Sequence, residues 1–123
     1  MKPALLCLAL TGCVTVYSGC AASTRSKAIQ TAFDATVAAG SALAAFDGPY
    51  EMKLVAGATT RAAADASLAV WQAERAKAAQ ALLIATQAEV AASLANDDAS
   101  LATMAAAVTS LLAELRADGV SLP

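Results

Sequence analysis

Few residues in this chain have the chemical type needed to do covalent or acid–base work. The three cysteines, Cys7, Cys13 and Cys20, all fall in the first 20 residues. A disulfide framework would spread cysteines through the fold, so this clustering points to N-terminal processing instead. Histidine is absent, which removes the commonest general base and the commonest metal ligand. Asp97 and Asp98 are adjacent carboxylates, but no D-x-D-x-D-G type loop surrounds them, and they read best as a helix cap. Glu74, Arg75 and Lys77 form a local cluster in which Glu74 and Lys77, three residues apart, can pair by about 0.2–0.5 kcal/mol. Arg61 and Asp65 read the same way, as a solvated face. No Ser-x-x-Lys spacing and no glycine-rich phosphate loop occurs. The expectation is therefore a protein without catalytic, cofactor-binding or metal-binding residues, and not an enzyme.

Whatever function the chain has must then come from its elements and surfaces. Of the 123 residues 59% are hydrophobic, yet only 4% are aromatic. Alanine makes up the difference. It is the best helix former, but it buries a single methyl, so at roughly 25 cal/mol per Å² an alanine seam stabilises weakly. Long helices with a thin core follow, and a thin core gains from a partner's surface. The net charge is −2 and the pI is near 4.9, with no basic cluster, so nucleic-acid binding has no electrostatic support.

The N-terminus has the order of an export signal: Met1 and Lys2, an apolar run from Ala4 to Val16, then the small residues Ser18, Gly19, Cys20, Ala21 and Ala22. The run is about 13 residues, whereas spanning a bilayer takes about 20. Leu10-Thr11-Gly12-Cys13 and Tyr17-Ser18-Gly19-Cys20 both resemble the lipobox of type II signal peptides of bacterial lipoproteins. In that motif an aliphatic residue and two small residues precede the cysteine that receives diacylglycerol. Cleavage before Cys13 leaves an apolar core of only about seven residues, the lower limit for a signal. Cleavage before Cys20 leaves a more ordinary signal, although Tyr17 departs from the aliphatic position. The resemblance thus implies lipid attachment at Cys20, with Cys13 as the alternative. It divides the chain into a signal peptide (1–19), a lipidated tether (20–27), a helical bundle (28–119) and a frayed tail (120–123).

Three helices are expected after the tether. The first runs from about Ser26 to Ala45, with Ile29, Phe33, Val37, Leu43 and Phe46 at helical spacing. Asp47-Gly48-Pro49 is expected to break it. A second helix from Pro49 to Ala95, roughly 70 Å long, carries a heptad-like seam of Val55, Ala62, Ala66, Ala69, Ala73, Ala76, Leu83, Val90 and Leu94. Leu68, Trp71 and Leu82 form a neighbouring stripe that could be a second contact face. Trp71, the single tryptophan, is either a core anchor or a partner contact. The third helix runs from Ala99 to Ala117, with Leu101, Met104, Val108, Leu111 and Leu115 as its apolar stripe and Asp118-Gly119 as its stop. The fold class expected is all-α: an elongated antiparallel helical hairpin or three-helix bundle with one long central helix. One apolar stripe should stay uncovered, which implies a homo-oligomer or a helical protein partner.

These features resemble the small alanine-rich helical lipoproteins of bacteria, of which the murein lipoprotein is the best-known kind. That family's terminal lysine is missing, since this chain ends Val120-Ser121-Leu122-Pro123. The resemblance implies a membrane-anchored envelope lipoprotein with a structural or protein-interaction role. It would be held in the outer membrane, facing the periplasm, because Ala21 (or Val14) follows the lipidated cysteine instead of aspartate. The alternative is a phage-encoded lysis lipoprotein resembling an outer-membrane spanin subunit, a resemblance confined to the anchor.

Overall fold

The computed structural model of the chain describes residues 22–123, with side chains from residue 24 onward. The described residues form three α-helices and no strand: α1 (Ala22–Gly57), α2 (Arg61–Ala95) and α3 (Asp98–Ala117). The all-α expectation therefore holds. At 1.5 Å per residue α1 and α2 are each about 50 Å long, and α3 is about 30 Å. Cross-helix contacts give their directions. Arg25 meets Asn96 and Asp98, Thr36 meets Glu89, and Asp47 meets Trp71 and Arg75, so α1 and α2 run antiparallel over most of their length. The short turn at Asn96–Asp97 sends α3 back along α2, roughly parallel to α1.

The core follows a heptad rule. Along α1, Ile29, Ala32, Thr36, Ala39, Leu43, Phe46 and Tyr50 step alternately by three and four and are buried or half-buried. In α2, Ala64, Trp71, Ala78, Ala85 and Ala92 recur every seventh residue and are all buried. Between them Leu68, Arg75, Leu82 and Glu89 face α1. α3 contributes Leu101, Met104, Val108, Leu111 and Leu115, each at most 1% exposed. This three–four spacing is that of helices packed nearly along one another. The α1–α2 seam is made of alanines, and the large aliphatic side chains come from α3.

Four details depart from the sequence expectation. First, α1 does not break at Asp47-Gly48-Pro49, and no new helix begins at Pro49. Pro49 lies inside α1, at a cost of about 3 kcal/mol. The flanking residues offset it. Trp71 Nε1 donates to Asp47 at 2.8 Å, and Arg75 reaches Asp47 at 2.7 Å and Glu51 at 3.3 Å. Phe46, Tyr50 and Trp71 also cluster with ring centroids 4.8–5.5 Å apart. The break comes instead after Gly57, and Thr60 caps α2 by accepting from the Ala63 amide at 3.1 Å. The molecule therefore has two long helices instead of one. Second, the α2 seam lies on the other side. Ala62, Ala66, Ala69, Ala73 and Ala76 are exposed, and so are Val55 (50%), Leu83 (50%), Val90 (55%) and Leu94 (82%). The expected series 62, 69, 76, 83, 90 precedes the buried series 64, 71, 78, 85, 92 by two residues. At about 100° per residue that shift is close to half a turn. Third, Val120 is buried rather than frayed. Its amide donates to Leu115 O and that of Gly119 to Arg116 O, the pairing of a Schellman motif with Gly119 at φ +86°. Fourth, α1 begins earlier than expected, so the stretch from Ala22 to Lys27 is helical.

The other caps are as expected. Asn96 ends α2 in the left-handed region at φ 51°. Asp97 starts α3 by accepting from the Ser100 amide at 2.8 Å, and that bond lowers its pKa.

Candidate functional site

Alanines supply much of the α1–α2 seam, and at Gly40 the backbone of α1 packs directly against an α2 side chain. A Cβ added at Gly40 would sit 3.6 Å from Leu82 Cδ2. This packing leaves the larger side chains on either side of the seam pointing outward. On one side α3 covers the pair. On the other none of the described residues does, and a groove runs between the helices. It comprises two adjoining cavities of about 390 and 510 Å³. Ile29, Phe33, Val37 and Ala44 of α1 and Leu82, Val90 and Leu94 of α2 are its apolar walls. Phe33 and Val37 are 50% and 52% exposed.

Glu89 borders both cavities, and only 4% of it is exposed. One carboxylate oxygen accepts from Thr36 Oγ1; the other, Oε2, is buried without a hydrogen-bond partner. Burial raises its pKa, and the Thr36 hydroxyl offsets this only in part. Nothing in the sequence reading singled out Glu89. A usable signal existed, since it is the only charged residue between Ala78 and Ala95 and falls in the same heptad register as Leu68 and Leu82.

A second cleft, of about 650 Å³, opens where α3 ends and the α1–α2 hairpin continues beyond it. Tyr50, Leu54, Val70 and Trp71 line one end and Glu74, Glu114 and Asp118 the other. Carboxylate oxygens of these three acids lie within 4.8 Å of one another, the spacing at which a divalent cation could be held. A cation of the chain is already there: Lys77 Nζ is 2.7 Å from Glu74 Oε1. Lys77 is held protonated by its bond to Glu74, with help from Glu114 and Asp118. Burial raises the pKa of Asp118, the charges of Glu114 and Glu74 raise it further, and Lys77 lowers it. Glu74 and Lys77 were legible as a pair. Their meeting with Glu114 and Asp118 was not, because it depends on α3 returning along α2.

The remaining residues singled out from the sequence fall as follows. Trp71 is 4% exposed and packs inside the chain against Phe46 and Tyr50. Leu68 and Leu82 are half-buried, and Leu82 lines the groove. Arg61 and Asp65 form an exposed pair at 4.0 Å. Asp97 is a cap, while Asp98 accepts from Arg25 at 3.1 Å. Cys13 and Cys20 lie outside the described residues. Searches against protein-family models, curated proteins and solved structures each found no match.

Proposed function

We propose that this chain is a membrane-anchored envelope lipoprotein whose helical body has a structural or protein-interaction role. The observation that carries the interaction half is the uncovered groove. A chain with a thin alanine core leaves Phe33, Val37, Val90 and Leu94 at least half exposed, and contiguous apolar surface of this kind usually marks a contact site. The anchor half rests on the lipobox-like residues ending at Cys20, with Cys13 as alternative. Membrane attachment is through acyl chains, each contributing about 0.8 kcal/mol per buried CH₂, and the body faces the periplasm. By length and hydropathy α2 and α3 could each cross a bilayer, but core helices of soluble bundles meet the same two criteria.

Intact mass spectrometry of the protein extracted from membranes tests the anchor. The expected mass is that of a chain beginning at Cys20 plus two or three acyl groups. Cys20→Ala should block this processing; if Cys13→Ala blocks it instead, the attachment site is Cys13. Normal processing of both variants would refute the lipoprotein.

A further inference from the structure

We propose that the end of the bundle formed by the start of α1 and the α2–α3 turn is a membrane-contacting surface, and that its partner is the bilayer holding the acyl anchor. Lipid attachment at Cys20, as proposed above, is the premise; what is added is where the helical body stands. The length of chain between anchor and body decides this. α1 is helical from Ala22, so only Ala21 separates the acylated cysteine from the first helical residue. Two residue steps reach at most about 7 Å in any conformation. From Ala22 the helix rises about 4.5 Å to Arg25, whose side chain reaches the α2–α3 turn. It donates to the Asn96 carbonyl at 3.0 Å and to Asp98 at 3.1 Å. This clasp ties the first turn of α1 to the α2–α3 turn, and that first turn cannot unwind into a longer tether without losing both bonds. An anchor at Cys20 therefore brings the whole end of the bundle to the bilayer, not α1 alone.

The side chains at this end suit a lipid interface. Leu94, in the last turn of α2, is 82% exposed, more than any other large apolar side chain among the described residues. Thr24, Ser26, Ala95 and Asn96 at the same end are small or polar, and exposed. The four charges here, Arg25, Lys27, Asp97 and Asp98, cancel. Asp98 is paired with Arg25 at 3.1 Å, and Asp97 holds the Ser100 amide. A bilayer with anionic lipids thus meets no net negative charge. Leu94 is too small a surface to hold the body on a membrane unaided, but a link this short raises its effective concentration at the interface. The α1–α2 turn lies about 50 Å away along α1, and a rod attached by one end keeps its far end clear of the bilayer in most orientations.

Fluorescence quenching in vesicles tests this with the full chain. The protein is extracted from membranes and carries a fluorophore on Ala95→Cys, beside Leu94, or on Thr59→Cys in the α1–α2 turn. It is then reconstituted into phosphatidylethanolamine–phosphatidylglycerol vesicles that contain a nitroxide-labelled lipid. Position 95 should be quenched several-fold more strongly than position 59. Leu94→Glu should reduce quenching at position 95, and because Leu94 is exposed the fold tolerates it. Inserting about eight Gly and Ser residues between Ala21 and Ala22, roughly 15 Å of flexible chain, should reduce it as well. Equal quenching at the two positions, or quenching at position 95 that neither Leu94→Glu nor the insertion lowers, would overturn the contact. The intact mass of each preparation separates this failure from that of the anchor. A chain acylated at Cys20 whose position 95 is unquenched keeps the lipoprotein and loses the contact. Acylation at Cys13 also removes the contact, since nine residue steps then reach about 30 Å, and a chain without acyl groups removes both.

Discussion

Replacing Glu89 by methionine should stabilise the helical body at neutral pH, even though it removes a buried hydrogen bond. Glu89 is 4% exposed, Thr36 satisfies one carboxylate oxygen, and the other has no partner. An unsatisfied buried acceptor costs about 1–3 kcal/mol, more when charged, and replacing a buried ionic group by an apolar one of similar volume is often neutral or stabilising by about 1–4 kcal/mol. Thr36 is not stranded by the change. Thr31, Thr86, Thr103 and Thr109 each donate to the carbonyl four residues earlier, and Thr36 can do the same to Ala32. The net gain should be about 1–2 kcal/mol, or roughly 5–10 °C in Tm for a body of this size. The gain should also depend on pH. A carboxyl whose pKa is raised on folding holds its proton more tightly in the folded state. Its unfavourable contribution therefore appears as pH rises from the ordinary value of 4.5 through the raised one. Wild-type stability should fall across that window, while Glu89→Met should lack this fall and lose most of its advantage at about pH 4. Thermal melts of residues 22–123 followed by circular dichroism at several pH values measure both effects. A lower Tm for Glu89→Met than for wild type at neutral pH would refute the reasoning and make the Thr36–Glu89 bond a net stabiliser.

Three further substitutions probe the packing. Val108→Asp places an unpaired charge at a site that is 0% exposed and should cost about 3–5 kcal/mol, seen as loss of the cooperative melt; an unchanged Tm would mean that α3 does not pack as described. Asp47→Ala leaves Trp71 Nε1 and Arg75 without their shared acceptor and should cost about 1–3 kcal/mol in urea denaturation. Although burial pushes the Asp47 pKa up, the bonds from Trp71 and Arg75 bring it below its ordinary 3.8, so wild type should lose the same contribution only as pH falls below that value. Gly40→Ala should raise stability by about 0.5–1 kcal/mol, since a new Cβ would meet Leu82 methyls at 3.6 and 3.8 Å, ordinary contact distances, while alanine is the better helix former. A fall in Tm on this change would show that α1 and α2 approach more closely than the structure has them.

The sequence by itself determined the helical class, the caps at Asp97 and Gly119, the α3 stripe and the pairing of Glu74 with Lys77. These depend on contacts within one or two turns, where propensity, spacing and capping chemistry act alone. In α3 large aliphatic residues stand out against small ones, so one stripe is clearly the most apolar. Tertiary structure decided what local chemistry left degenerate. α2 is so rich in alanine that stripes on opposite faces look equally apolar, and the buried one is the stripe holding Trp71, because burying an indole outweighs burying another methyl. Pro49 reads locally as a helix breaker, but Asp47, Tyr50 and Glu51 on either side of it are tied to α2, and those long-range contacts carry α1 onward to Gly57. The groove and the half-paired carboxylate of Glu89 belong to the same class of fact. They exist only because α1 and α2 lie side by side with α3 on one face, an arrangement set by contacts between residues that are distant in sequence.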